Sequence, residues 1–266
     1  MKTGRWSNHA SLIGRVLLVA TIMTFAGSSS AQLKVIISGG FSPAYQELLP
    51  EFERTTGIAV TTGSGASQGS GPQTMAAQLQ RGVPADVVIL SREGLTELIS
   101  AGRIVAFSDV DLASVPIGAA VRAGAPKPDI STVDAFKQAL LTAKTVVIPG
   151  STSGIYLRDK VFPRLGITDK INLKVTERGS QATAMLAAGD ADIAVQPVSE
   201  LATVPGIDVI GRIPSELQLI QVFAAAIVTG TNQPDAARNL IGFLASERAA
   251  AAMVKSGMEP VKRGAH

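Results

Sequence analysis

The chain has 266 residues with 24 Lys+Arg against 21 Asp+Glu, no cysteine and two histidines. His9 lies near the start and His266 is the last residue, so the body of the chain holds neither thiol nor imidazole. Cys–His and Ser–His–Asp nucleophile systems, thiolate chemistry and the usual zinc sites are excluded.

Residues 1–31 read as a separate segment. Lys2, Arg5 and Arg15 give a basic start, Val16–Ala26 is mostly apolar, and Ser28–Ala31 supplies a small-residue cleavage site. The apolar stretch is too short for a spanning helix of roughly 20 residues. The pattern predicts a cleaved export signal, a mature start near Gln32, a periplasmic location and no membrane insertion after cleavage. Removing those three basic residues leaves 21 basic against 21 acidic, so no basic stripe speaks for nucleic acid or anionic lipid. Anion selectivity must then come from individual arginines and backbone dipoles.

From residue 32 onward strands and helices alternate. Lys34–Ser38 is a β-branched apolar run, followed by a helix capped by Ser42, with Pro43 at its first position, and ended by Gly57. Strand Ile58–Thr62, a Gly/Ser-rich corner and a helix near Gln73–Gln80 follow, then strand Ala85–Ser91 and helix Gly94–Ala101. A second series comprises helix Val133–Thr142, strand Thr145–Ile148, a helix from Ile155, strand Lys174–Glu177, helix Gln181–Ala188, and strands Asp192–Gln196 and Asp208–Ile210. The Ala-rich Pro234–Lys255 segment is helical. Val115–Arg122 and Leu219–Thr229 are long apolar runs without helical period, read as hinge strands. The fold class is therefore α/β, with two mixed, mostly parallel sheets flanked by helices. The predicted lobes are residues 32–115 plus 225–266 and residues 116–224, with a cleft between them.

Three apolar runs end in a Gly/Ser corner that opens a helix: Lys34–Pro43, Ala59–Thr74 and Val146–Tyr156. Such corners offer free N–H groups, short hydroxyls and the positive end of a helix dipole. In parallel sheets they gather at the carboxyl ends of strands, where ligands bind. Together they predict a seat for a small anionic metabolite, lined by Gly39, Gly40, Phe41, Ser42, Ser67, Ser70, Thr152, Ser153, Gly154 and Tyr156. Arg92, Arg158 and Arg178, with Ser180 beside the last, are candidate carboxylate partners because the guanidinium fork matches a carboxylate. Each of these residues has an ordinary role as an alternative: a helix cap, a turn glycine, a packing ring or a solvated charge. A bulky residue at Gly40 or Gly154 is expected to abolish binding with modest loss of stability.

Four stretches carry a family resemblance: Val35–Phe52, the Gly-x-Pro-Ala-Asp element at Gly82–Asp86, Ser153–Tyr156, and the Gly189–Ala194 run that opens a strand. With them, residues 32 onward resemble the ModA-like, type II periplasmic solute-binding proteins, and the resemblance implies a two-lobed fold. The departures matter as much. Gly40 stands where molybdate receptors of this family carry a ligand serine, the second corner is longer and includes Gln68, and Gln196 aligns with the receptor's binding tyrosine. These losses disfavour a compact tetrahedral oxyanion and suit a larger polycarboxylate, read through Gln68 and the Gln196 amide among others. In this respect the chain is similar to the family's aconitate-isomerising branch. That similarity implies an allylic proton shift between cis- and trans-aconitate and no metal or organic cofactor; with no histidine in the body of the chain the proton carrier is a carboxylate, Tyr156 or a lysine of shifted pKa, Tyr156 and Glu177 being the named candidates. The alternative is a non-catalytic receptor that delivers an oxyanion or organic acid to an ABC permease.

Overall fold

A computed structural model describes residues 32–261 of the chain; the predicted export signal lies outside the described residues. Ten strands are arranged in the order β2-β1-β3-β9-β4-β7-β5-β6, with β8 and β10 pairing only with β4. They are β1 (Leu33–Ile37), β2 (Val60–Ser64), β3 (Val87–Ser91), β4 (Val110–Arg122), β5 (Val146–Pro149), β6 (Leu173–Thr176), β7 (Ile193–Pro197), β8 (Ile207–Arg212), β9 (Ile220–Ile227) and β10 (Glu259–Pro260). The helices are α1 (Ser42–Thr56), α2 (Met75–Gln80), α3 (Arg92–Ser100), α4 (Val133–Thr142), α5 (Thr152–Tyr156), α6 (Phe162–Leu165), α7 (Gly179–Ala188), α8 (Pro234–Leu244) and α9 (Glu247–Lys255).

Strand β1 alternates its side chains between two cores, which explains its nearly continuous apolar sequence. Leu33, Val35 and Ile37 pack on one face of the sheet with Phe52 of α1, Leu240 of α8 and Met253 of α9. Ile36, with Val88 and Leu90 of β3, packs on the other face with Met75 of α2 and Leu95 of α3. A second pair of cores flanks β5 and β7. Val146 and Ile148 meet Phe136, Leu140 and Phe162, whereas Val147 meets Ala182 and Leu186 of α7. Two sheets with separate cores make a two-lobed body.

Strand β4 links the lobes. Its residues Val110–Pro116 pair with β9, and Ile117–Arg122 pair with β7 and β8. At the change of partner the Gln218 side chain stands in for a strand: its Oε1 accepts from Ile117 N at 2.7 Å and its Nε2 donates to Ile117 O at 3.0 Å. The second crossing lies before Ile220, not within Leu219–Thr229, because β9 pairs in the first sheet along its whole length. The lobe-forming strands β1, β2, β3 and β5, β6, β7 are parallel among themselves, while β4 and β9 run antiparallel to their neighbours.

Helix starts differ locally from expectation. A 3-10 turn, Gly39–Phe41, precedes α1, so Ser42 is the first helical residue and makes no side-chain cap. Gly57 does end α1, in the left-handed conformation at φ 70°. Helix α3 begins at Arg92, two residues early, because the Ser91 hydroxyl caps it by accepting from Gly94 N at 3.2 Å. Helix α7 likewise starts at Gly179, with the Gln181 side chain accepting from Arg178 N at 3.2 Å.

Candidate functional site

The carboxyl ends of β1, β5, β6 and β7 converge on one cleft of about 390 Å³, within the range of small-molecule sites. From the first lobe come Ser38, Gly39, Gly40, Ser42, Ser64 and Ser67; from the second, Ser151, Ser153, Arg178, Ser180, Ser199 and Glu200. Gln221 and Phe223 of β9 form the floor. Hydroxyls predominate, and Arg178 and Glu200 are the charged side chains among its described lining residues.

The lobes meet around this cleft. Ser91 and Thr152 hydroxyls pair between the lobes at 2.7 Å, both buried. Arg178 Nη1 donates to Ser64 Oγ at 2.5 Å, bridging the second corner and α7. Ser67 Oγ accepts from Ser91 N at 3.0 Å, which leaves its O–H free to donate.

Two polar atoms of the cleft wall have no partner among the described residues: Ser199 Oγ and Gln221 Oε1. Ser199 is fully buried and Gln221 is 3 % exposed. Buried polar groups are ordinarily paired, so unpaired ones lining a cavity point to a polar guest. The Glu200 carboxyl is pushed up to about 7 by burial, against which the Arg178 charge pulls it down. Near neutrality the site therefore holds one fixed positive charge and a carboxyl able to carry a proton.

Seven residues expected at the anion seat line this cleft: Gly39, Gly40, Ser42, Ser67, Ser153, Arg178 and Ser180. The others lie elsewhere, each for a visible reason. Phe41 is fully buried in the core, its ring centroid 6.4 Å from that of Phe223. Thr152 is spent on Ser91, and Gly154 packs so tightly under β5 that a Cβ would overlap the Pro149 carbonyl. Arg92 is held by Asp109 at 2.6 Å and by Asp111, away from the cleft. Arg158 pairs with its neighbour Asp159 at 2.6 Å. Together with Ser70, Gln68 and Glu177 it borders a separate outer groove, where Gln68 Nε2 donates to Glu97 Oε1 at 2.5 Å. Tyr156 turns toward the hinge, its hydroxyl donating to the carbonyls of Leu217 and Gln218 at 3.2 and 3.3 Å. Gln196 is wholly buried beneath the 3-10 turn Val198–Glu200, donating to Glu200 O at 3.3 Å.

Sequence reasoning missed Ser199, Glu200, Gln221 and Phe223. The first two follow the carboxyl end of β7, where ligands of parallel sheets lie, but no Gly/Ser corner marks the turn. The last two are on a strand of the first sheet, where only the register of β9 against β3 and β4 brings them to the cleft. Among the described residues, no group of three His, Cys, Asp or Glu side chains is placed to hold a metal ion, and no helix is long and apolar enough to cross a membrane.

Comparison with known proteins agrees with this architecture. The family model for bacterial extracellular solute-binding proteins matches residues 33–259. A curated aconitate isomerase from Pseudomonas sp. is 39% identical over 246 residues, covering 92% of this chain and 94% of that protein. Among solved structures, the periplasmic molybdate-binding protein of Azotobacter vinelandii superposes with a TM-score of 0.70 at 21% identity, over 88% of this chain and 100% of that one. The sulfate-binding protein SubI from Mycobacterium tuberculosis H37Rv gives 0.68 at 20% identity, over 87% of each chain. These two likenesses concern the fold.

Proposed function

The chain belongs to the bacterial extracellular solute-binding protein family, and from that premise we propose that it is a periplasmic aconitate isomerase interconverting cis- and trans-aconitate. The observation that carries this reading is the 39% identity to an aconitate isomerase across 92% of the chain, which spans both lobes and every element lining the cleft. The polar composition of the cleft supports it.

The tricarboxylate lies between the lobes. One carboxylate pairs with Arg178, whose guanidinium gives charge-assisted bonds stronger than those of neutral donors. Hydroxyls of Ser42, Ser67, Ser153, Ser180 and Ser199 take the remaining oxygens, and Phe223 walls the apolar edge of the carbon skeleton. The reaction is an allylic proton shift: a base takes a methylene proton, charge spreads into the adjoining carboxylate, and a proton returns at the far carbon. Donors fixed in place before reaction stabilise that dienolate-like state without reorganisation. The hinge consists of β4 and the crossing before β9; residues 32–115 with those from 220 onward form one lobe and residues 116–219 the other. Export by a cleaved signal places the protein in the periplasm, where it acts on a free metabolite.

A second reading is a receptor that binds an oxyanion or organic acid for an ABC permease, favoured by the fold shared with molybdate- and sulfate-binding proteins. Ultraviolet absorbance of cis-aconitate incubated with purified protein separates the two. Drift to the trans-rich equilibrium above a boiled control is the isomerase outcome. Tight calorimetric binding of aconitate, or of molybdate, without drift leaves the receptor.

A further inference from the structure

We propose that Glu200 is the proton carrier of this isomerisation, removing the methylene proton of the bound tricarboxylate and returning it to the far allylic carbon. The proposal rests on the isomerase reading above and adds the group that performs its chemistry.

Glu200 ends the 3-10 turn after β7 and reaches between two glycines, Gly39 of the first lobe and Gly179 at the start of α7 in the second. A Cβ on Gly39 would overlap Oε1 of Glu200, and a Cβ on Gly179 would overlap Oε2. Neither glycine has a positive φ, so backbone conformation does not demand them; what a Cβ at either position would meet is this carboxylate. It thus stands where both lobes close on a ligand.

The Glu200 carboxylate is also unspent. Among the described residues no hydrogen bond reaches either Glu200 carboxylate oxygen, although its backbone carbonyl is held by Gln196. A carboxylate fixed by several N–H donors would be a poor base. The unpaired Ser199 hydroxyl lies in the same wall and can donate to a carboxylate there. Other carriers are placed away from the cleft, Tyr156 on the hinge carbonyls and Glu177 on the outer groove.

Burial further suits Glu200 to the task, since a base that titrates near the working pH both accepts and returns a proton readily. The elements packed against it bring one ionisable partner, Arg178 before α7; the Gly39–Phe41 turn, Gln196 of β7, Gln221 of β9 and the Ile117–Ala120 stretch of β4 carry none. In the forward step the methylene C–H bond breaks, its proton goes to a Glu200 oxygen and its electron pair forms the new C=C bond. The electrons of the old double bond pass into the allyl carboxylate and then form the C–H bond at the far carbon, taking the proton from Glu200. Substrate and product are isomers, so no oxidant or co-reactant is consumed.

The test uses the purified mature chain, cis-aconitate as substrate and the saturated tricarboxylate tricarballylate as binding probe. Glu200→Gln should melt cooperatively, bind tricarballylate at least as tightly as wild type, and lose kcat by roughly 100-fold or more. If Glu200→Gln keeps kcat within tenfold of wild type, the proposal is overturned while the isomerase reading stands. If wild type binds tricarballylate but shows no turnover, the isomerase reading fails and the proposal fails with it. Should Glu200→Gln not fold, the wild-type profile decides: kcat rising to a plateau with a midpoint near pH 7 supports Glu200, and a flat profile from pH 5 to 8.5 overturns it.

Discussion

Replacing Glu200 by glutamine should stabilise the ligand-free protein, and only above a defined pH. Burial raises this carboxyl from 4.5 to about 7, so the folded protein holds the proton more tightly than the unfolded chain. The stabilising contribution of a raised acid is complete below its unfolded pKa and is lost as pH climbs through its folded one. At about 1.4 kcal/mol per pKa unit, the ionised form costs the fold about 3 kcal/mol above pH 7. Glutamine keeps the shape and never ionises. Melting temperatures of the two proteins should coincide near pH 4, separate between pH 4.5 and 7, and then differ by a constant amount. For a chain of this size 1 kcal/mol moves the midpoint by roughly 2–4 °C, giving a gap of roughly 6–12 °C in favour of the variant. Thermal melts from pH 4 to 8.5 without ligand measure this directly. Parallel curves, or a wild type that gains on the variant as pH rises, would refute the claim that the fold raises the Glu200 carboxyl.

Other consequences follow from the same geometry. Arg178→Ala removes the one positive charge lining the cleft and should weaken tricarballylate binding by about 2 kcal/mol, near thirtyfold, in calorimetry; unchanged affinity would remove Arg178 from the site. Gly154→Ala drives a methyl into the Pro149 carbonyl and should cost about 1–3 kcal/mol in denaturant unfolding. That corrects the expectation of a modest stability loss at this position; for Gly40, the overlap is with the Phe223 ring. Thr152→Val deletes the buried bond to Ser91 between the lobes and should cost about 1–3 kcal/mol while Thr152→Ser is tolerated, as read by chemical denaturation. Gly179→Ala meets only the end of the flexible Glu200 side chain; it should lower kcat more than it changes KM, with the melting temperature nearly intact.

The elements were legible because each rests on local signals. The β-branched runs of β1, β3 and β5 are buried on both faces as their composition requires, and Gly57 ends α1 as glycine does at helix ends. The Gly/Ser corners likewise led to Gly39, Gly40, Ser42, Ser67 and Ser153 of the cleft, because their hydroxyls and N–H groups sit where strands end. What stayed hidden depends on distant pairing. Arg92 looks free in sequence, yet Asp109 and Asp111 return to it across a loop. Tyr156 ends the third corner run, but its hydroxyl is claimed by carbonyls some 60 positions away. Glu200 reads as an ordinary acidic residue until the first corner and α7 close around it. No local pattern encodes those meetings.

The claim beneath all of this is that a tricarboxylate sits between the two lobes, bound by Arg178 and facing Glu200. A crystal structure of the mature protein grown with tricarballylate tests it most directly. The account predicts the ligand in the cleft, one carboxylate within hydrogen-bonding distance of Arg178 and a methylene carbon turned to the Glu200 oxygens. A ligand seated in the outer groove beside Arg158 and Glu177, or one whose carbon chain points away from Glu200, would contradict it.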